Sequence, residues 1–215
     1  MFVGHYAAAL AARAVEPRTP LWAAVGAAQL VDIGWSVLIM TGVEKVRFDP
    51  SLPGTPLDLY HMPWTHSLPA AVVWSVGGAL LARGLLKTPW RVAAILGLTV
   101  FSHWLLDFLV HRPDLALWPG GIKVGLGWWN WPVPEKMLEI TLIAVAGGAW
   151  LWRRGTEGRG WAWGCAFLAL LGGLGIYAEL PGPPPTSPAA FGTMALVAYL
   201  SLAAVAWLAE RPRRA

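Results

Sequence analysis

The chain has 215 residues, of which 56% are hydrophobic and 13% charged, with a net charge of +4. Ordinary soluble domains carry about 25% charged residues, so this composition, with a mean hydropathy of +0.52, excludes one. The 15 Trp and 24 Gly fit an all-α, polytopic integral membrane bundle, where Trp collects at the interfaces and Gly is tolerated within helices. A single cysteine, Cys165, rules out an internal disulfide and a Cys-rich zinc site, so any metal here needs His and carboxylate ligands. The basic residues form no dense tract, and nucleic acid is therefore not an expected partner.

Apolar runs of about 20 residues mark spanning helices, because the hydrocarbon core is roughly 30 Å thick and a helix rises 1.5 Å per residue. About six are expected, over 20–42, 67–87, 89–111, 136–153, 160–179 and 188–209. The first 15 residues add a short or partly inserted N-terminal helix, and no basic residue precedes its apolar run as a signal peptide requires. Pro17 and Pro20 break the chain before the first span. Ser67 with Pro69, and Thr88 with Pro89, supply caps and first-turn prolines for the second and third. Pro113 stops the third span near Arg112. Residues 115–134, rich in Gly and Trp, read as an interfacial loop, and 181–188 as another. The whole of 1–215 is read as one membrane domain. Its metal-site part covers about 4–140, and the helices over about 160–209 are accessory.

Alternating spans sort the 16 Lys and Arg unequally. Lys45, Arg47, Arg112, Lys123 and Lys136 fall on one side. Arg13, Arg18, Arg83, Lys87, Arg91, Arg153, Arg154, Arg159, Arg211, Arg213 and Arg214 fall on the other, which the positive-inside rule makes cytoplasmic.

All five histidines lie toward the poorly basic side. An ionisable residue inside a membrane costs at least about 2.5–3.5 kcal/mol on insertion scales, so such a cluster points to function. His103, Asp107 and His111, spaced by four, project from one face of the third span and offer the nitrogen and oxygen donors that zinc takes. Asp32 stands in the middle of an apolar span. His5 and Asp32 are equidistant from the Pro17–Pro20 break, so an antiparallel hairpin brings them to one depth as ligands or as a plain ion pair. His66, next to the cap Ser67, can face inward as a ligand, and His61 can serve as a proton-transfer group. Glu135 and Glu139 add a carboxylate pair at the outer start of the fourth span; an acid at a helix N-terminus also has a purely electrostatic reason to be there.

Gly4-His5, an acid in the next helix, Thr65-His66-Ser67 and His103-x-x-x-Asp107 together resemble the bacterial inner-membrane, membrane-bound metal-dependent hydrolases of the LexA-regulated type. Those are distantly similar to the zinc-dependent phospholipase C and single-strand nuclease superfamily. The resemblance implies His5, Asp32, His66 and His103 as ligands of one to three divalent ions, zinc above all, with Asp107 bridging. His111 and one of Glu135 or Glu139 would complete a further site. It also implies metal-assisted hydrolysis of a phosphoester, with Asp32 or Asp107 as ligand or base. In the outer loop, Arg112, Lys123 and Asn130 could hold the phosphate of a lipid or lipid-linked substrate. The expected setting is the bacterial inner membrane, with the site toward the periplasm. A proton- or metal-coupled transporter, a bis-His haem protein and a structural metal scaffold are the alternatives.

Overall fold

A computed structural model of the chain describes residues 1–178, 180 and 185–210. Among these are eight α-helices and no large sheet. The expected basic residues Arg211, Arg213 and Arg214, and most of the 181–188 loop, lie outside the described residues.

Val3–His5 forms one 3-10 turn that runs into α1, Tyr6–Val15. Expected as a short or partly inserted helix, it is short, with 10 residues, and central: Tyr6, Ala9 and Leu10 are wholly buried against α2, α5 and α6. Its Ala-rich sequence lets neighbours approach closely, as small residues do in membrane bundles. Pro17 and Pro20 then turn the chain into α2, Leu21–Ala28, followed after Gln29 by α3, Leu30–Met40. The two are bent by 49° at that break, so the expected first span is a bent pair. The Gln29 side chain donates to the Phe2 carbonyl at 3.2 Å and ties the bend to the N-terminal segment.

β1, Lys45–Phe48, and β2, Leu57–His61, make an antiparallel hairpin in which Lys45 faces His61 and Arg47 faces Asp58. α4 covers Leu68–Gly84; the Ser67 hydroxyl caps it by accepting the Ala70 N–H, and Pro69 sits in the first turn, as expected. α5, Trp90–Val110, starts after Pro89 and ends where His111 turns extended, two residues before Pro113. Strands β3, Leu115–Ala116, and β4, Lys123–Val124, fold the interfacial loop back on itself. α6, Pro132–Thr156, begins four residues before the expected span. α7, Ala162–Tyr177, and α8, Pro188–Glu210, complete the bundle.

Among the described residues two helices, α5 and α8, can each cross a membrane by length and composition, and the bent α2–α3 pair makes a third crossing if it acts as one span. The expected six comparable spans are thus not all alike. α4 and α7 are apolar but shorter, with 17 and 16 residues, and α6 carries Glu135, Lys136, Glu139, Arg153 and Arg154. The exterior is nonetheless apolar. Val73, Val76, Leu80, Ile140, Val145, Val197 and Leu200 are all more than half exposed, which suits lipid and not water. Exposed Trp64, Trp118 and Trp131 ring the end that carries the hairpins, and Trp90, Trp152, Trp161 and Trp163 ring the other. Two such girdles are what membrane–water interfaces select.

The basic end is closed by ion pairs. Arg13 of α1 reaches Glu157 with two nitrogens at 2.8 and 3.1 Å and Glu210 of α8 at 2.9 Å. Glu210 also accepts the Leu21 N–H at 2.6 Å. Beside it, hydrogen bonds from Arg18 hold the Glu16 carboxyl down at about 2.

Candidate metal centre

The opposite end of the bundle holds the histidines. Asp107, one turn before the end of α5, is the hub. Its Oδ1 lies 3.1 Å from His5 Nε2 and 3.3 Å from His111 Nε2, and its Oδ2 lies 3.1 Å from His103 Nε2 and 3.5 Å from His66 Nε2. Asp32, in the first turn of α3, puts Oδ1 3.3 Å from His66 Nε2 and 3.4 Å from His103 Nε2. Five elements therefore converge: the N-terminal turn, α3, the cap of α4, α5 and its extended exit. His5, His66, His103, Asp107 and His111 are all buried.

Among the described residues two donor groups are tight enough to share a cation each: His5, His103 and Asp107, and Asp32, His66 and His103, with all ligand atoms in a group within 4.8 Å of one another. The outward ring nitrogens have separate partners. His103 Nδ1 is 2.9 Å from the Ala28 carbonyl, and His111 Nδ1 is 2.9 Å from Asp114 Oδ1. Carbonyl and carboxylate oxygens only accept, so these Nδ1 atoms carry protons and Nε2 is the nitrogen each ring turns inward, where it can ligate a cation. His103 Nε2 is buried without a hydrogen bond, as are both ring nitrogens of His5. Imidazole lone pairs converging on two carboxylates are a donor set that fits a divalent cation, and the outward bonds are the orienting contacts metal-bound histidines make.

The stripe expected from the spacing of His103, Asp107 and His111 is present, although His111 joins it from the extended residue after the helix. The expected meeting of His5 with Asp32 is replaced by another pairing. Both reach the same cluster, but His5 meets Asp107 while its ring stacks on His103 with centroids 3.8 Å apart, and Asp32 meets His66 and His103.

Glu139 is not brought into either donor group. Its Oε1 accepts the N–H groups of Phe2 and Gly4 at 2.7 and 3.2 Å, and its Oε2 holds Lys136 at 2.8 Å. Glu135, in the first turn of α6, lies 3.8 Å from Lys136 and is likewise outside both groups. His61 is exposed on β2.

The expected phosphate holders have other work. Arg112 donates to Asn130 Oδ1 and to the carbonyls of Pro53, Thr55 and Leu57, and Lys123 donates to the Tyr60 carbonyl. They pin the β1–β2 hairpin beside an open pocket of about 340 Å³ that Asp49, Asp58 and Asp114 also line. His61→Ala should therefore leave metal content at the wild-type level; elemental analysis of the purified variant checks this.

Three contributors escape the sequence reading. Tyr199 of α8 donates to Asp32 Oδ2 at 3.1 Å, so the last helix reaches the cluster. A phenol hydroxyl in an apolar helix was the available signal, since a buried one needs a partner. Asp114 lies three residues after His111 and could have been found by that spacing. Glu44 is buried behind His66, and nothing in its local sequence marks it.

Fold, apolar exterior and buried His/Asp cluster define a helical membrane protein with a polar centre near one membrane face. The chain matches the family of YdjM inner membrane proteins over residues 1–181 and belongs to that family; it is an inner membrane protein. It is also similar to a protein named heme A synthase from Hyphomonas neptunium, 34% identical over 152 residues, which is 62% of this chain and 43% of that relative. No solved structure matches the chain.

Proposed function

We propose that this inner membrane protein is a metal-dependent hydrolase that cleaves a phosphoester of a lipid or lipid-linked substrate. The observation that carries the reading is a pair of carboxylates, half-buried Asp32 and buried Asp107, faced by the Nε2 atoms of four histidines. His5, His66, His103, Asp32 and Asp107 would hold one or two divalent ions, with zinc the ion this donor set favours, and His111 would close the site. When bound, such ions supply Lewis acidity and make water a nucleophile at neutral pH.

Asp32 is the more open carboxylate, its side chain 14% exposed against 2% for Asp107, and is the group placed to take a proton from an incoming water. Tyr199 fixes the other oxygen of Asp32. Hydrolysis adds that water across the P–O bond, and the proton leaves with the departing alcohol. An apolar groove of about 430 Å³ between α6 and α7, bordered by Ile140, Ile143, Leu168 and Leu171 and reaching Glu139, supports a substrate with an acyl or isoprenoid tail. The basic residues at the far end favour a periplasm-facing centre.

A transporter would continue polar groups toward the basic end. Beyond the cluster the buried residues of α1, α2 and α5 are mostly apolar, among them Ala9, Leu10, Val25, Val92 and Leu96, with Thr99 the buried polar residue midway along α5 and Arg13 at the basic end, which favours a one-sided centre. A haem between facing histidines needs room for the macrocycle. The rings of His5 and His103, 3.8 Å apart and within 5° of parallel, leave none between them, so the relative's named activity is not carried over.

The test is metal analysis of detergent-purified protein, then release of phosphate or diacylglycerol from phosphomonoesters and phospholipids with zinc or manganese present. Metal-dependent turnover that His103→Ala abolishes is expected. Protein that holds no metal and takes none up would overturn the hydrolase reading and put transport first.

A further inference from the structure

Glu44 lies between α3 and β1 with 1% of its surface exposed. Its Oε1 accepts the backbone N–H of Trp64 at 2.7 Å and of Thr65 at 3.0 Å, and its Oε2 accepts the Thr65 hydroxyl at 2.6 Å. The same hydroxyl oxygen lies 2.7 Å from Nδ1 of His66. Glu44 thus stands directly behind a histidine of the cluster while facing none of it.

The direction of this chain follows from proton counting. A hydroxyl has one proton, and an ionised carboxylate can only accept. The Thr65 proton therefore goes to Glu44, and its oxygen is left to accept the Nδ1–H of His66. Nδ1 therefore carries a proton, and Nε2 is the nitrogen turned toward Asp32 and Asp107, its lone pair free for a cation once the ring holds a single proton. His103 and His111 reach the same state by direct bonds to a carbonyl and a carboxylate. His66 is different because a hydroxyl can donate or accept. Thr65 alone leaves the tautomer open, and Glu44 closes it.

We propose that Glu44 and Thr65 are positioning residues that fix His66 as the Nδ1–H tautomer and so keep its Nε2 free to ligate a cation. The tautomer stands on the hydrogen bonds alone; its use in ligation rests on the metal-centre reading above.

Glu44→Gln tests this with a change of polarity at constant shape. The Gln oxygen can keep both backbone N–H groups, so the loop is held. Its amide nitrogen then takes the place of Oε2 and donates to Thr65, which forces the hydroxyl to donate to His66 Nδ1 and moves the ring proton to Nε2. Nitrogen NMR of metal-free, histidine-labelled protein, raised in pH until the ring carries a single proton, reads the tautomer directly. The His66 signals are assigned by their loss in His66→Gln. Expected are Nδ1–H in the wild type and in Thr65→Ser, and Nε2–H in Glu44→Gln. Zinc affinity should fall about 10–100-fold in Glu44→Gln, the usual effect of losing an outer-shell partner, and be kept in Thr65→Ser.

If Glu44→Gln does not fold, Thr65→Val removes the hydroxyl and should leave His66 a mixture of tautomers with the same loss of affinity. A His66 that stays Nδ1–H in Glu44→Gln, or in Thr65→Val, overturns the relay even if zinc binds. A tautomer that switches in a protein that takes up no zinc upholds the relay and overturns the metal-centre reading instead.

Discussion

Asp107→Asn is expected to reduce the metal content of metal-loaded protein from stoichiometric to trace. Asp107 faces His5, His66, His103 and His111 at once, and the substitution keeps its shape while removing the charge that balances a cation among four imidazoles. Outer-shell partners are worth about 10–100-fold in metal affinity, so loss of the shared carboxylate should exceed about 100-fold. Phosphoester turnover should fall to background with it. Elemental analysis beside the wild type, with a thermal midpoint to show that the variant is folded, is the measurement. An Asp107→Asn protein as rich in metal as a metal-loaded wild type would mean that the ions are held elsewhere.

Arg13→Met is expected to produce the largest loss of stability, and to do so without touching the cluster. The Arg13 side chain is 6% exposed and binds two carboxylates on two other helices, Glu157 at the end of α6 and Glu210 at the end of α8. Removing one partner of a buried ion pair costs about 3–5 kcal/mol, because the remaining charge is left without compensation. Glu157 is 24% exposed and screened accordingly, which places the effect near 3 kcal/mol. Arg13→Lys should recover only part of it, since an ammonium lacks the planar fork that holds Glu157 through two bonds. Arg13 also holds the Glu157 carboxyl below its ordinary pKa. That contribution is full at neutral pH and is lost as pH falls through the lowered value. Denaturation midpoints in detergent provide the readout, and an unchanged midpoint would reduce the network to surface decoration.

Much of the centre could be read from spacing. His103 and Asp107 share a helix face whatever surrounds them, and a membrane helix has few reasons to carry both. Ser67 and Pro69 announced their helix start for reasons that operate within one turn. What could not be read depended on distant partners. Glu139 looks like a ligand until Phe2 and Gly4, more than 130 residues away in the chain, are seen to occupy its oxygen. Tyr199 and Asp32 are 167 residues apart, so no local pattern pairs them. Glu44 sits 21 residues from Thr65, across a hairpin whose short strands leave little periodicity to detect. The depth argument for His5 and Asp32 brought both to one cluster, where each meets His103, but could not give the bend at Gln29 or the carboxylate that His5 takes as its partner.

That bend has a chemical use of its own. The last carbonyls of a helix have no amide within the helix to satisfy them. By ending α2 at Ala28 in mid-bundle, the break creates such a terminus where lipid offers no solvent, and the Ala28 oxygen is taken by the Nδ1–H of His103. An uninterrupted helix would spend that oxygen on its own backbone and leave the imidazole free to spin. The backbone defect is therefore the socket for the one side chain common to both donor groups. Substitutions that straighten the chain at Gln29 would disorder that ring without altering any donor in either group.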